Sequence, residues 1–335
     1  MRIAINGFGR IGRMFLRSIL KDSIAQESLN VVSINLGPVS YECAAHLFKY
    51  DSVMGTYEGY VFLDETFLII DNNAIELLQE IDPTHLPWKQ REIDWVIECS
   101  GKFTKREGAM QHITAGAKKV LISAPATGED VTIIPGVNDD SFNQTRHVIV
   151  SLGSCTTNAL LPILKVLHER CDLQKGIANT IHAYTNSQVL LDASASDLRR
   201  TRAAAINIIP TTTGASEAIE KVIPELANKI ECRAIRVPVP KVSLIIVSCV
   251  SSRSITVEFL NKTFREAEQD YLHAILATTE IPLVSSDYSG NSYSVIIDTK
   301  LTSVVDNLGT VFGWYDNEWA YAERLKDFLV STFRK

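Results

Sequence analysis

Arg2-Ile3-Ala4-Ile5-Asn6-Gly7-Phe8-Gly9-Arg10-Ile11-Gly12 decides the fold. Its first five residues read as a strand. The next six are G-x-G-x-x-G, and an amphipathic helix follows with Ile11, Met14, Phe15, Ile19 and Leu20 on one side. The motif carries weight only in this setting, between a strand and a helix. Gly7 allows the tight turn, Gly9 lets a pyrophosphate approach the backbone, and Gly12 allows close helix–strand packing. A dinucleotide site is therefore expected at Gly7, Gly9, Arg10, Ile11 and Gly12. A second strand, Val31 to Asn35, follows at the right distance. In such units it usually ends in an acid that holds the adenosine ribose hydroxyls. Here Asn35-Leu36-Gly37-Pro38 stands there instead.

Working outward, strands are expected at Gly59–Phe62, Phe67–Ile70, Trp95–Cys99 and Lys119–Ser123, and a helix at about 106–117. The alternation predicts an α/β, doubly wound, mostly parallel Rossmann sheet. Ser100 and Ser123 fall at strand ends, where ligands of such sheets bind. The second half reads differently. Strands at Ile245–Val250, Ile255–Leu260, Ser294–Asp298 and Val311–Tyr315, with turn chemistry at Asp306–Gly309, predict an α+β domain with a mostly antiparallel sheet. A helix is expected over Lys262–Ala277 and another over Glu318–Phe333. The expected division is a nucleotide-binding domain at 1–154, joined by the terminal helix 318–335, and a catalytic domain at 155–317.

The chain has 335 residues, 46 % of them hydrophobic and 21 % charged, with a net charge of −6. These are values of a soluble globular protein, and the charge argues against nucleic-acid binding. No apolar run approaches a membrane span, and no signal-peptide plan opens the chain. The six cysteines (43, 99, 155, 171, 232 and 249) show no paired metal spacing, so free thiols in a reducing cytoplasm are expected, with no metal.

One cysteine stands apart. In Gly153-Ser154-Cys155-Thr156-Thr157-Asn158 it lies where the strand Val148–Ser151 gives way to a helix containing Leu160, Leu161, Ile163, Leu164 and Leu167. Unpaired N–H groups and the helix dipole favour a thiolate there, so a lowered thiol pKa is expected. The same N–H groups suit an oxyanion. His182, at the end of a short strand, completes a nucleophile–base pair.

With these motifs in hand, the chain resembles phosphorylating glyceraldehyde-3-phosphate dehydrogenases along essentially its whole length. The matching stretches are INGFGRIGR (5–13), SCTTN (154–158), HAYTN (182–186), DLRRTRAAA (197–205), IIPTTTGA (208–215), RVPVP (236–240) and WYDNEW (314–319). The resemblance implies oxidative phosphorylation of glyceraldehyde 3-phosphate. Cys155 attacks the aldehyde, His182 acts as ion-pair partner and base, and inorganic phosphate releases the thioester. It implies an attacking-phosphate site at Ser154, Thr156, Thr213 and Gly214. Thr185 and Arg236 form a substrate-phosphate site, with Arg200 near both and Arg199 and Arg202 as neighbours. Asn317 is implied at the carboxamide of the cofactor, and a homotetramer at the level of assembly.

The chain departs from the family at Ala159, where a second Cys is usual, at Lys241 in place of Asn, and at Ser187 in place of a frequent Asp. Asp192-Ala193-Ser194 resembles members that accept NADP. With the ribose-binding acid missing beside Asn35, NAD and NADP are both expected as cofactors, because a repulsion against the 2′-phosphate is gone. Competing readings are erythrose-4-phosphate dehydrogenase, a nucleotide-binding regulator without catalysis, and a cysteine hydrolase. An activated thiol argues against the regulator, and the glycine fingerprint against the hydrolase.

Overall fold

The computed structural model describes residues 1–334 and divides the chain into two compact units. One holds 1–133, 139–153 and the residues from 322 onward; the other holds 134–138 and 154–321. Among the described residues no helix is long and apolar enough to cross a membrane.

The first unit is built on a nine-stranded sheet. Its elements are β1 (Arg2–Asn6), α1 (Arg10–Leu20), α2 (Ser23–Ser28), β2 (Asn30–Asn35), α3 (Tyr41–Lys49), β3 (Val61–Asp64), β4 (Phe67–Ile70), β5 (Asn73–Leu78), β6 (Trp95–Glu98), α4 (Arg106–Thr114), β7 (Lys119–Ile122), β8 (Val131–Thr132) and β9 (Ile149–Ser151). The strand order is β3-β4-β5-β2-β1-β6-β7-β9-β8, parallel from β5 to β8. Ile3, Ala4 and Ile5 of β1 are wholly buried, as a strand covered on both faces requires. The chain leaves β1 to one side for β2 and returns to the other side for β6. The end of β1 therefore lies at the topological switch point, where α/β sheets bind ligands.

The second unit contains α5 (Cys155–Cys171), β10 (Leu173–Ala183), β11 (Ile209–Thr211), α6 (Ala215–Val222), β12 (Ile230–Val237), β13 (Ser243–Ser251), α7 (Val257–Gln269), β14 (Leu276–Thr279), β15 (Val295–Asp298), β16 (Ser303–Val305) and β17 (Leu308–Tyr315). Its sheet runs β11-β12-β10-β13-β17-β15-β14, with β16 paired to β17. Leu160, Leu161, Ile163, Leu164 and Leu167 of α5 lie in one core with Ile245 and Val247 of β13 and Leu260 and Phe264 of α7. α8 (Trp319–Arg334) ends the chain, and its Phe328 meets Trp95 edge-on at 5.9 Å within the first unit.

The second sheet is mostly antiparallel, as expected, with β10 parallel to β12 and β14 parallel to β15. Three expectations need correction. The strand before His182 is long, at 11 residues. Ile255–Leu260 is not a strand. Thr256 accepts from the Phe259 N–H at 3.1 Å and starts α7, whose Leu260, Phe264 and Ala267 follow a helical period into the core. α7 also stops at Gln269, so Leu276 and Ala277 belong to β14.

Candidate active site

Gly7 takes φ +92°, and a Cβ there would stand 2.5 Å from the Ser100 Cα and N. A Cβ on Gly12 would meet the Gly7 carbonyl oxygen at 2.4 Å. Gly9 differs: nothing lies within 4 Å of the space its Cβ would fill, and no side chain caps α1, for which Gly9 is the N-cap. A helix N-terminus without a side-chain cap and with open space above a glycine fits a pyrophosphate. The Arg10 guanidinium is paired with Asp51, so Arg10 and Ile11 offer their backbone to such a ligand.

A buried network fixes the strand ends around this loop. Glu98, 1 % exposed, accepts from Asn6 Nδ2 at 2.6 Å and from the Ser100 N–H at 2.7 Å and hydroxyl at 2.5 Å. Trp88 Nε1 donates to His112 Nδ1 at 3.1 Å, which assigns the His112 proton to Nε2, 3.1 Å from Glu98. Asn35 is spoken for as well. Its Nδ2 donates to Asn6 at 2.7 Å and to the Glu80 carbonyl at 2.9 Å, and its Oδ1 accepts from the Glu80 N–H at 2.9 Å. The Asn35 amide is an internal tie between β1, β2 and Glu80 just beyond β5, which leaves the backbone of this strand end for the expected cofactor contact. Ser123 also bonds inward, its hydroxyl donating to the Glu98 carbonyl at 2.9 Å.

In the second unit Cys155 is the first residue of α5. Ser154 caps the helix, accepting from the Thr157 N–H at 3.1 Å, and Thr157 Oγ1 accepts in return from the Ser154 N–H at 2.7 Å. Cys155 Sγ lies 3.5 Å from His182 Nε2, near the end of β10. Tyr315 OH is shared between Thr156 Oγ1 at 3.2 Å and Thr180 Oγ1 at 2.7 Å, joining α5 to β10 beneath the dyad. Thr156 is buried, 6 % exposed, and its side chain also acts on the Cys155 thiol.

Parallel register sets Arg236 of β12 opposite His182. Its Nη1 lies 2.7 Å from His182 Nδ1 and 3.0 Å from the Ala183 carbonyl. Burial pushes the Cys155 thiol above its ordinary value, against the pull of Arg236 and Thr156. Burial, with the Arg236 charge second, lowers His182 to about 3.

Arg200 donates through Nε to Thr211 Oγ1 at 2.8 Å, and its charge acts on Arg236. Arg202 pairs with Asp192 at 2.7 Å. Thr213 and Gly214 open α6, which has no side-chain cap. Thr185 Oγ1 and Ser187 Oγ are 2.9 Å apart. Asn317 is buried, with its Oδ1 3.4 Å from the Ser243 hydroxyl. The structure brings Cys155 and Arg236 against opposite nitrogens of the His182 ring. Sequence reading missed Tyr315 and the Ala183 carbonyl as supports of the dyad, although Tyr315 lies within the WYDNEW stretch.

Two family profiles match: glyceraldehyde 3-phosphate dehydrogenase, NAD binding domain, over residues 1–106, and glyceraldehyde 3-phosphate dehydrogenase, C-terminal domain, over residues 154–317. Among similar proteins, glyceraldehyde-3-phosphate dehydrogenase 2 of Bacillus subtilis is 45 % identical over 98 % of this chain and 96 % of its own. Glyceraldehyde-3-phosphate dehydrogenase 2 of Trichormus variabilis is 46 % identical over 100 % of this chain and 99 % of its own. The Geobacillus stearothermophilus glyceraldehyde-3-phosphate dehydrogenase is 44 % identical over 98 % of this chain.

Proposed function

The chain belongs to the glyceraldehyde 3-phosphate dehydrogenase family of NAD-dependent oxidoreductases, and from that premise we propose how its own residues carry the reaction. The enzyme oxidises glyceraldehyde 3-phosphate, and the erythrose-phosphate and non-catalytic readings are not favoured. Cys155 Sγ adds to the aldehyde carbon, forming a thiohemiacetal. His182 Nε2 takes the hydroxyl proton as that carbon is oxidised to the thioester, and the Cys155 N–H steadies the developing oxyanion. Inorganic phosphate then attacks the thioester carbon, the C–S bond breaks, and the thiolate leaves as the acyl phosphate forms. The observation that supports this reading is the 3.5 Å approach of His182 Nε2 to a sulfur at a helix N-terminus.

Gly7, Gly9, Arg10, Ile11 and Gly12 hold the pyrophosphate, with Ser100, Ser123 and Asn317 as further contacts. The cofactor, when bound, supplies the hydride acceptor. Arg236 and Thr185 take the substrate phosphate. Ser154, Thr156, Thr213 and Gly214 take the attacking phosphate, with Arg200 serving both. NADP is accepted as well as NAD, because the strand end at Asn35 and Leu36 presents no carboxylate and Ser194 offers a hydroxyl. The enzyme works as a homotetramer. In support, Leu190, Leu191, Leu198, Ile206 and Ile208 are all at least 70 % exposed in one chain, an apolar surface that suits a partner.

One assay tests the proposal: glyceraldehyde 3-phosphate oxidation with and without phosphate, using NAD and NADP in turn. Dependence on phosphate and kcat/KM values within about a hundredfold for the two cofactors, some 2.7 kcal/mol, are expected. Full turnover without phosphate contradicts the mechanism, and a larger preference for NAD contradicts dual use. Light scattering reporting a monomer contradicts the tetramer.

A further inference from the structure

The hydrogen bonds that meet at the Glu98 carboxylate all point toward it, and each arm is fixed at its far end. The Trp88 indole N–H can only donate, so His112 Nδ1 accepts and the His112 Nε2–H faces Glu98 Oε2. On the other side Asn35 is set by the Glu80 backbone, with Oδ1 on the N–H and Nδ2 on the carbonyl. Asn35 Nδ2 also donates to Asn6 Oδ1, which leaves Asn6 Nδ2 to donate to Glu98 Oε2. The Ser100 hydroxyl accepts from the Lys102 N–H at 3.1 Å and gives its own proton, along with the Ser100 N–H, to Glu98 Oε1. Four donors meet the four acceptor positions of a carboxylate, and neither a neutral acid nor an amide takes all four. Each partner is uncharged, so a negative charge is kept buried here at a cost that an apolar core does not carry.

Asn6 ends β1, Asn35 ends β2 and Glu98 ends β6, so one network joins three strand ends at the switch point. The Gly7 N–H donates to the Asn35 carbonyl at 2.8 Å. The turn after β6 rests on the turn after β1, because the Ser100 Cα and N stand 2.5 Å from where a Gly7 Cβ would be. With both of its donors on Glu98, Ser100 cannot lift off Gly7 without breaking them.

We propose that Glu98 is a positioning residue for the cofactor, a role that rests on Gly7–Gly12 being the dinucleotide loop. Its carboxylate holds the Ser100 turn on Gly7, and the ends of β1 and β2 beside it, in the shape the dinucleotide needs before the dinucleotide arrives. A site ordered in advance spares the ligand the cost of ordering it, so Glu98 acts on cofactor affinity. The chemical step lies with other residues and keeps its rate once the cofactor is bound. Ser123 does not share this role, since its hydroxyl reaches the Glu98 carbonyl oxygen and not the carboxylate. Glu98→Gln keeps the size of the side chain and puts an NH2 where the carboxylate accepts. That NH2 opposes either the Ser100 donors or those of Asn6 and His112, and one tie is lost.

The test is NAD binding to Glu98→Gln, measured by calorimetry on the full chain, with amide hydrogen exchange of the peptides spanning 7–12 and 99–103. The Kd for NAD rises about tenfold, the scale of one unmatched buried donor. The KM for NAD follows it, while kcat at saturating NAD and the KM for glyceraldehyde 3-phosphate stay within about twofold. Exchange in both peptides speeds up in the free protein. A lower melting temperature with an unchanged Kd for NAD makes Glu98 a residue of the fold alone and overturns the proposal. A fall in kcat with the Kd intact overturns it too. Should Glu98→Gln not fold, Asn6→Ala reads the same network: it keeps the carboxylate, removes one donor to it and raises the Kd for NAD about threefold. An unchanged Kd in folded Asn6→Ala overturns the positioning role. Wild-type protein whose 7–12 peptide gains no protection from NAD overturns the dinucleotide-loop reading as well. Protection there, with Glu98→Gln binding NAD as the wild type does, overturns the positioning role and leaves the loop reading intact.

Discussion

Two helix N-termini in this molecule solve opposite problems with the same backbone geometry. α1 and α5 each follow a strand and a glycine with positive φ, Gly7 at +92° and Gly153 at +61°. At α1 the donors are left without a side-chain cap, and glycine keeps the space above them open. At α5 a capping box of Ser154 and Thr157 occupies part of the first turn, and the turn presents a side chain, Cys155. The first end suits an anion that arrives from outside. The second holds a nucleophile in place. What separates them is what stands at the cap: a residue with no side chain, or one whose side chain closes the turn.

The largest expected effect falls on the second end. Cys155→Ser keeps the cap and the fold, so the melting temperature holds while kcat falls by about 10⁴ or more. Residual activity near wild type contradicts the assignment. The next largest falls on the first end. Gly7→Ala puts a methyl 2.5 Å from Ser100 in a left-handed backbone, which costs about 3–5 kcal/mol in strain and overpacking. Chemical denaturation of the full chain reads it, and a neutral result means the β1 and β6 ends do not pack as described.

Those two ends were the most legible parts of the sequence, because each is a local pattern: strand, glycine, helix. What escaped was set by long-range pairing. Arg236 stood out only as part of a motif, since its place beside His182 depends on β10 and β12 running parallel in register. β12 itself went unread, although Ile230, Cys232 and Ala234 alternate with Glu231 and Arg233. The stretch Ile255–Leu260 misled because Ile255, Thr256 and Val257 are all β-branched, and Thr256 read as one more strand former. The inward turn of Asn35 was invisible too, because its partners Asn6 and Glu80 are distant in the chain.

Smaller effects sharpen the contrast. Ser154→Ala removes the cap and costs about 1 kcal/mol. If Ser154 also holds the attacking phosphate, the KM for phosphate rises while that for the aldehyde stays, and an unchanged phosphate KM confines Ser154 to capping. Gly9→Ala is the smallest in stability, within about 0.5 kcal/mol, since nothing stands within 4 Å of the added methyl. Its effect is on the ligand: the KM for NAD rises about tenfold, a loss of about 1.4 kcal/mol. An unchanged KM means the space over Gly9 is not where the cofactor's phosphates lie.

The central claim is that Cys155 carries the acyl group between oxidation and phosphorolysis. The most direct measurement is a single-turnover mix of the enzyme with glyceraldehyde 3-phosphate and NAD in the absence of phosphate, followed by absorbance and by peptide mass. The account predicts a burst of NADH equal to the number of Cys155 thiols, an acyl adduct on the Cys155 peptide, and its release on adding phosphate. Steady turnover with no burst, or an adduct on any other cysteine, contradicts it.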